Sequence, residues 1–270
     1  MRNFIKLSVT AGLILTVLGA CSGDKARHEA AMALVEKAQQ LSDGHRYDSA
    51  LVVLDTLNIK YRDCIDERKK GTMVRLEALS ALTRDSIAVA ELQLRAISEE
   101  VDRLAPEFKK VEIEGTDGYF VDKNTYTGNE MTRNGIQVRI DDQGYCFIIA
   151  NVAGKRIGLN SISYNNISTP PVNSIEVEGS EIMSVTQEPA VELLNALSDA
   201  DGKAAVNLVG SKGTVKVELS AKEVQSIGMT WRYALAVQQS RALNIRLEKL
   251  ERQLARLSDQ IAAQTPVDSE

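Results

Sequence analysis

The chain has 270 residues, of which 44% are hydrophobic and 26% carry a charge, a composition typical of globular rather than disordered proteins. Lys and Arg number 32 against 37 Asp and Glu, so the net charge of −5 excludes a broad basic surface for nucleic acid. Only 4% of the residues are aromatic, which leaves few rings on which bases could stack. With two His and three Cys, we expect no metal, no cofactor and no disulfide-stapled fold.

The first 20 residues have the pattern of a secretory signal peptide. Arg2 and Lys6 precede an apolar run over 7–18, and the small residues Gly19 and Ala20 follow. This run is too short to span the ~30 Å hydrocarbon core of a bilayer as a permanent helix. We therefore expect residues 1–20 to be removed from the mature protein.

A lipid anchor is expected directly after this segment. Leu18-Gly19-Ala20-Cys21 resembles the lipobox of bacterial lipoproteins, which implies cleavage before Cys21 and a diacylglycerol on its sulfur. By the same resemblance, Ser22 is compatible with sorting to the outer membrane, with the protein facing the periplasm or the cell surface. Several acyl chains, at about 0.8 kcal/mol per buried CH₂, give permanent anchoring. A plain signal peptide with an unmodified cysteine is the alternative.

Two short helices joined by a turn are predicted next. Apolar residues recur at spacings of three and four between Ala26 and Leu41, and again between Tyr47 and Ile59. Gly44-His45-Arg46-Tyr47-Asp48-Ser49-Ala50-Leu51 resembles the second half of a tetratricopeptide-type helical hairpin. The resemblance occurs once, whereas about three stacked copies are needed for a stable solenoid. We therefore predict a helical hairpin and not a repeat array.

Two long helices are predicted over 64–105 and 221–264. Asp63 can cap the first, and Ser220 with Glu223 matches a capping box for the second. Each helix carries one narrow apolar seam, and such a seam needs a partner helix. We predict that the two pair as an antiparallel coiled-coil stalk; a homodimer through the C-terminal helices of two chains is the alternative. The seams comprise Met73, Leu76, Ser80, Thr83, Ile87, Ala90, Leu94, Ile97, Val101, Leu104 and Phe108, and Leu243, Leu247, Leu250, Leu254, Leu257 and Ile261.

The segment between the long helices is predicted to form a β domain. Apolar and polar residues alternate there with period two, as in half-buried strands, and turns at 142–144 and 210–213 separate some of the strands. Six to eight strands, with one short helix over 189–197, indicate a β-sandwich or an open barrel. The predicted fold class is therefore α+β, with a helical hairpin, a stalk and a central, mainly antiparallel β domain.

The predicted organisation is a signal peptide (1–20), a lipid anchor and helical region (21–109), the β domain (110–220), a coiled-coil helix (221–264) and a tail (265–270). A lipobox, a helical stalk and a small β module together resemble envelope lipoproteins of Bacteroidetes whose function is uncharacterised. This resemblance implies a location and brings no activity with it.

The sequence contains no catalytic motif. The patterns H-E-x-x-H, C-x-x-C and G-x-x-x-x-G-K-[ST] are all missing, which argues against zinc hydrolysis, thiol exchange and P-loop nucleotide binding. His28 and His45 lie in the N-terminal helical region, where solvated or capping roles are expected. Cys64 and Cys146 can either pair in an oxidising periplasm or lie buried as small hydrophobic residues.

Acidic residues of the β domain define an alternative function, an envelope glycan hydrolase. The candidates are Asp141, Asp142, Asp199 and Asp201. Acids in turns are usually solvated, and spacing alone does not place two carboxylates across a sugar. Asp199-Ala200-Asp201-Gly202 also lacks the further ligands of a calcium loop.

The longest polar loop of the β domain, from Tyr119 to Gly135, is the candidate binding loop, with Tyr126, Asn129 and Arg133 as its candidate residues. An aromatic ring suits an apolar sugar face, Asn and Arg suit hydroxyls, and loops on a rigid scaffold often carry binding sites. A solvated loop without a binding role is the alternative. We predict a non-enzymatic scaffold or binding module, attached to the membrane by its lipid, that presents the β domain to a protein or cell-wall glycan partner.

Overall fold

The structure is a computed structural model that describes residues 23–113, 115, 117–125 and 132–264. Within these ranges the chain forms five α-helices and two antiparallel sheets, and neither sheet closes into a barrel. The predicted α+β class is confirmed at this level. None of the described helices is both long and apolar enough to cross a bilayer.

The five helices lie close to their predicted positions, because apolar spacing and helix termini are local properties of a sequence. A 3₁₀ turn that contains Pro106 follows the first long helix, and Phe108, which the sequence pattern assigned to the seam of that helix, begins a strand instead. The helices are α1 (Gly23–Asp43), α2 (Tyr47–Lys60), α3 (Ile65–Leu104), α4 (Gln187–Ser198) and α5 (Ala221–Gln264).

The capping box predicted for α5 is confirmed. The Ser220 amide donates to Glu223 Oε2 at 2.8 Å, and the Glu223 amide donates to Ser220 Oγ at 3.3 Å. Asp63, predicted to cap α3, instead accepts two hydrogen bonds from the Arg27 guanidinium of α1, both at 2.7 Å. Asp63 therefore connects the chain just before α3 to α1.

Ten strands are present among the described residues, more than the six to eight predicted. They are β1 (Phe108–Val111), β2 (Tyr119–Asp122), β3 (Gly135–Ile140), β4 (Cys146–Val152), β5 (Leu159–Tyr164), β6 (Ile167–Ser168), β7 (Ile175–Val177), β8 (Ser180–Thr186), β9 (Ala204–Gly210) and β10 (Gly213–Leu219). The first sheet has the order β1-β2-β3-β4-β8-β7, and the second has the order β10-β9-β5-β6.

Two strands outside the predicted set, β5 and β8, have irregular polarity patterns. In β5 the pairing register shifts between Leu159 and Ser161, which breaks the alternation of period two. In β8 the polar residues Ser180 and Glu181 are both buried, so they do not mark an exposed face. Periodicity alone therefore gave too low a strand count.

The described residues divide into two compact units, which we call the hairpin unit (residues 23–86 and 251–264) and the sheet unit (residues 87–250). In the hairpin unit α1 and α2 form the predicted helical hairpin around buried side chains that include Leu54 and Leu57. α3 approaches this cluster closely at Gly71, where an added Cβ would lie 2.6 Å from Leu57 Cδ2. The glycine at this position makes the close approach possible.

The sheet unit has one hydrophobic core that joins both sheets to α4 and to the N-terminal part of α5. Trp231 is 4% exposed, and its indole N–H donates to Asn195 Oδ1 at 2.8 Å. Tyr233 stacks on Phe108, with 4.3 Å between the ring centroids. Trp231 and Tyr233 therefore pack the N-terminal part of α5 against α4 and the start of β1.

A buried carboxylate fixes the connection between the two sheets. Glu181 of β8 is 8% exposed and accepts hydrogen bonds from the amides of three successive residues at the start of β5, with distances of 2.9, 2.9 and 3.1 Å. Burial alone would raise the pKa of Glu181, but the three amide hydrogen bonds outweigh it and lower the pKa. The donors are the amides of Ile157, Gly158 and Leu159.

Side chains of α3 and α5 contact each other within each unit. In the hairpin unit, Gln253 Nε2 donates to Thr83 Oγ1 at 3.2 Å. In the sheet unit, Arg232 Nε lies 2.6 Å from Glu100 Oε1. Residues of both predicted seams are buried: Leu76, Ser80, Thr83, Ala90, Leu104, Leu243, Leu247 and Leu257.

Candidate functional site

A cavity of about 160 Å³ lies in the sheet unit, between strands β3 and β4, the segment that follows β2, and the first three turns of α5. Its volume is close to the roughly 150 Å³ of an engineered protein cavity that holds benzene. The cavity therefore suits one small ring or one short side chain. Its apolar walls come from Ile136, Val138, Ile149 and Ile227.

The capping box of α5 forms part of the polar rim of this cavity. Glu223 Oε2 accepts hydrogen bonds from both the amide and the hydroxyl of Ser220, at 2.8 and 2.7 Å. The other oxygen, Oε1, lies 3.7 Å from Arg133 Nη2. Lys222, in the first turn of α5, also lines the cavity. Two cationic groups and one carboxylate thus stand at the rim.

Hydroxyl groups connect the segment after β2 to α5 at the same place. Thr125 Oγ1 and Ser226 Oγ are 3.1 Å apart, and Thr230 Oγ1 donates to the Ser226 carbonyl at 2.7 Å. Lys109 Nζ donates to the Thr125 carbonyl at 2.9 Å. These contacts hold the wall of the cavity in place.

The strand side of the cavity is held by two Asn side chains. Asn151 of β4 is 5% exposed, and its Nδ2 donates to the Arg133 carbonyl at 2.6 Å. Asn134 Oδ1 accepts a hydrogen bond from the Ala153 amide at 2.8 Å. The residues that lead into β3 are therefore fixed against the end of β4, and Arg133 is held beside the cavity.

The structure places one of the predicted binding-loop residues at this cavity. Arg133 lines the cavity and faces Glu223. Tyr126 and Asn129, like Cys21, lie outside the described residues. The cavity itself was not predicted, because its walls come from segments about 100 residues apart in the sequence.

The acidic residues considered for a hydrolase take part in local structure. Asp141 Oδ1 accepts hydrogen bonds from the amides of Gln143 and Tyr145 at 2.9 and 2.8 Å, within the predicted turn between β3 and β4. Asp142 accepts a hydrogen bond from the Gln143 side chain at 2.9 Å. Asp199 is the C-cap residue of α4, and Asp201 is exposed. These contacts are typical of turns and helix ends.

A second cluster of functional groups, in the hairpin unit, was missed by the sequence reasoning. His28 of α1 lies with its Nδ1 atom 3.0 Å from both carboxylate oxygens of Glu67. Cys64, the residue before α3, is fully buried beside them, and one donor atom from each of the three residues lies within 4.8 Å of the others. His28 was expected to be solvated or capping, but it pairs with Glu67. Imidazole, thiol and carboxylate are all zinc ligands, so these residues could hold a metal.

The electrostatics of this cluster follow from its contacts. The hydrogen bond with Glu67 raises the pKa of His28. A backbone hydrogen bond at the start of α3 and the contact with His28 lower the pKa of Glu67. Burial, and then the charges of Asp63 and Glu67, raise the pKa of the Cys64 thiol. The histidine and the glutamate thus favour their charged forms, and the thiol favours its neutral form.

Cys64 and Cys146 are both free and buried, one in each unit. Burial raises the pKa of Cys146 to about 12, with a further contribution from Asp141. The sequence left two interpretations open for these cysteines. In the structure they lie buried as small hydrophobic residues and do not form a disulfide.

Comparisons with known proteins gave no relative. No family of proteins, no curated protein and no solved structure matched the chain.

Proposed function

We propose that this protein is a lipid-anchored component of the bacterial cell envelope that binds a glycan through the cavity of the sheet unit, without catalysis. The cavity between β3, β4 and α5 is the observation that carries the binding role. The pattern of the first 21 residues carries the location, with the lipid on Cys21 and the protein in the outer membrane.

The chemistry of the cavity favours a sugar with an acetamido group or a carboxylate. Isoleucine and valine walls suit an acetyl methyl group or the apolar face of a ring. Thr125, Ser226 and Asn151 provide short polar groups next to these walls. Arg133 and Lys222 outnumber Glu223 at the rim, so the local charge suits an anionic group. Amino sugars of the cell wall combine these features.

The size of the cavity limits how much of a glycan can enter. A volume of about 160 Å³ accepts one residue or one substituent and not a chain. Small ligand sites in proteins usually measure about 300–1,000 Å³, so the remainder of a polymer would lie outside on the surface. We therefore expect weak binding to single sugars and tighter binding to polymeric cell wall, where many sites act together.

We also propose that α3 and α5 pair as an antiparallel coiled coil, and that the two sheets pack as a sandwich. The contacts Gln253–Thr83 and Arg232–Glu100, together with the burial of both leucine-rich seams, support the first proposal. The hydrophobic core shared by both sheets supports the second. A homodimer through α5 would instead bury the same leucines between two chains.

Binding to purified sacculi tests the proposed function. The full chain in detergent is sedimented with insoluble peptidoglycan, and the bound fraction is measured. Gly135→Leu and Ser226→Leu add bulk to the cavity from the strand side and the helix side. Among the described residues, no atom comes within 4 Å of a Cβ built at Gly135, so the backbone position itself accepts a side chain. We expect each variant to weaken binding by about tenfold or more, the effect of losing about 1.4 kcal/mol.

Thr214→Leu, at an exposed position of β10, is the matched control and should bind as the unmodified chain does. Failure of the unmodified chain to sediment with sacculi would contradict glycan binding. Equal binding by all variants would place the contact outside the cavity. Release of soluble sugars, abolished by Asp→Asn changes at 141, 142, 199 or 201, would favour the hydrolase alternative.

A further inference from the structure

We propose that His28, Cys64 and Glu67 form a zinc-binding site in the hairpin unit. One donor atom from each residue lies within 4.8 Å of the other two. The three ligands come from α1, from the residue that precedes α3, and from the first turn of α3. A metal at this point would therefore join two segments that are 36 to 39 residues apart.

The distances between the three donor atoms fit a tetrahedral zinc ion after small movements of the side chains. Zn–S bonds of about 2.3 Å and Zn–N or Zn–O bonds of about 2.0–2.1 Å place neighbouring donors about 3.3–3.6 Å apart. His28 Nδ1 is already 3.0 Å from both oxygens of Glu67, so these two ligands need to separate slightly. The remaining donor separations, at most 4.8 Å, require an approach of about 1 Å.

Cys64 and Glu67 are fixed by their place at the start of α3. The backbone carbonyl of Cys64 accepts the Arg68 amide at 3.1 Å, the first hydrogen bond of the helix. Glu67 follows three residues later and is 8% exposed, and Cys64 is fully buried. Helix geometry brings positions three residues apart to the same face, so both donors point toward α1.

The surroundings of His28 resemble those of a metal-bound histidine. Its Nε2 atom lies 3.9 Å from Asp24 Oδ1, one helical turn earlier in α1. Metal-bound histidines commonly donate their second N–H to a carboxylate, which fixes the ring and its tautomer. A metal would take the place of the Nδ1 proton that His28 shares with Glu67, and the proton that remains, on Nε2, would face Asp24.

The neighbouring carboxylate of Asp63 has a different partner. Both of its oxygens accept hydrogen bonds from Arg27, which also donates to the Lys60 carbonyl at 2.8 Å. The site therefore has three protein ligands and a fourth position for water, which can arrive because the His28 side chain is 44% exposed. On binding, the Cys64 thiol and His28 Nδ1 each release a proton to solvent, and a Zn–S bond and a Zn–N bond replace the S–H and N–H bonds. The thiolate and the Glu67 carboxylate together balance the charge of the ion.

Cobalt is the spectroscopic probe for this site. The full chain in detergent is titrated with Co²⁺, and a thiolate-to-cobalt charge-transfer band in the near ultraviolet reports coordination by sulfur. We expect one equivalent of Co²⁺ to give this band and one equivalent of Zn²⁺ to remove it. Cys64→Ser should abolish the band, and Cys146→Ser should leave it unchanged.

Affinity for Zn²⁺ is measured by competition with a chelating indicator. Loss of the group that hydrogen-bonds a metal ligand typically costs about 10–100-fold in metal affinity, and we expect His28→Gln and Glu67→Gln, which change the ligands themselves, to cost more. Asp24→Asn should cost about tenfold. His45→Gln and Glu29→Gln are the matched controls, since His45 contacts Tyr47 and Glu29 is exposed on α1.

If a variant fails to fold, the Zn²⁺ affinity and the Co²⁺ spectrum of the unmodified chain decide the proposal. No binding of Zn²⁺ at tens of micromolar, or binding of Co²⁺ without the thiolate band, would overturn it. Equal affinity in the Cys64→Ser and Cys146→Ser variants would also overturn it. Because glycan binding is measured on the sheet unit, failure here leaves the proposed function untouched.

Discussion

Replacement of Glu181 tests how the two sheets of the sheet unit are held together. Its carboxylate accepts three backbone amides and is almost fully buried. In Glu181→Gln, one oxygen becomes an NH₂ group, so at least one amide faces a donor instead of an acceptor. A buried amide that loses its partner costs about 1–3 kcal/mol, and we expect a loss of about 2 kcal/mol. Glu181→Ala leaves all three amides without this acceptor and should cost about 4 kcal/mol.

Urea unfolding followed by fluorescence measures this loss. Trp231 is the single tryptophan of the chain and lies in the affected core, so its emission reports on this unit. With a slope of about 2 kcal/mol per molar urea, the midpoint should fall by about 1 M for Glu181→Gln. Glu178→Gln, an exposed change in the turn before β8, should shift it by less than about 0.3 M.

The pH dependence supplies a second test of the same carboxylate. Because the folded pKa of Glu181 is lowered, its contribution to stability is complete above the unfolded pKa and is lost as pH falls through the folded pKa. The difference between the unmodified chain and Glu181→Gln should therefore shrink below about pH 4. Equal midpoints at pH 7, or a difference that stays constant down to pH 3, would refute this account.

Three further predictions concern other positions. Gly71→Val should destabilise the hairpin unit by about 1–3 kcal/mol in thermal unfolding, because the valine side chain would overlap Leu57. The control, Ala88→Val at an exposed position of α3, should cost under about 1 kcal/mol. Cys146 should resist iodoacetamide at pH 8 when folded and react in urea, because burial raises its pKa to about 12; rapid modification of the folded chain, seen by mass spectrometry, would contradict this. Ser220→Ala should cost about 1 kcal/mol in urea unfolding, and an unchanged midpoint would count against the capping box.

Helix caps, helix boundaries and tight turns depend on residues that are close together in the sequence, and these features were predictable. The capping box of Ser220 and Glu223 depends on three residues of spacing, and the structure has both of its hydrogen bonds. The helix boundaries followed from apolar spacing in the same way. The two-residue turn between β9 and β10 also matches, because Gly210 and Gly213 bracket it in the sequence.

Features that depend on distant parts of the chain were not predictable. His28 and Glu67 are 39 residues apart, and only the folding of α1 against the start of α3 makes them neighbours. The burial of Glu181 has no signature in the sequence, because its hydrogen-bond partners are backbone amides. The cavity likewise combines the segment near Thr125 with Ser226, about 100 residues later. Arg133 and Glu223 were each conspicuous in the sequence for separate reasons, a polar loop and a capping box, but their proximity at the cavity rim was not predictable.

The most direct test of the proposed function is saturation-transfer NMR with a disaccharide of N-acetylglucosamine and N-acetylmuramic acid. If the cavity binds a sugar substituent against its isoleucine walls, the acetyl methyl protons should receive the strongest transfer from the protein. The transfer should disappear in Gly135→Leu and persist in Thr214→Leu. No transfer to the disaccharide, or the same pattern in both variants, would contradict binding in this cavity.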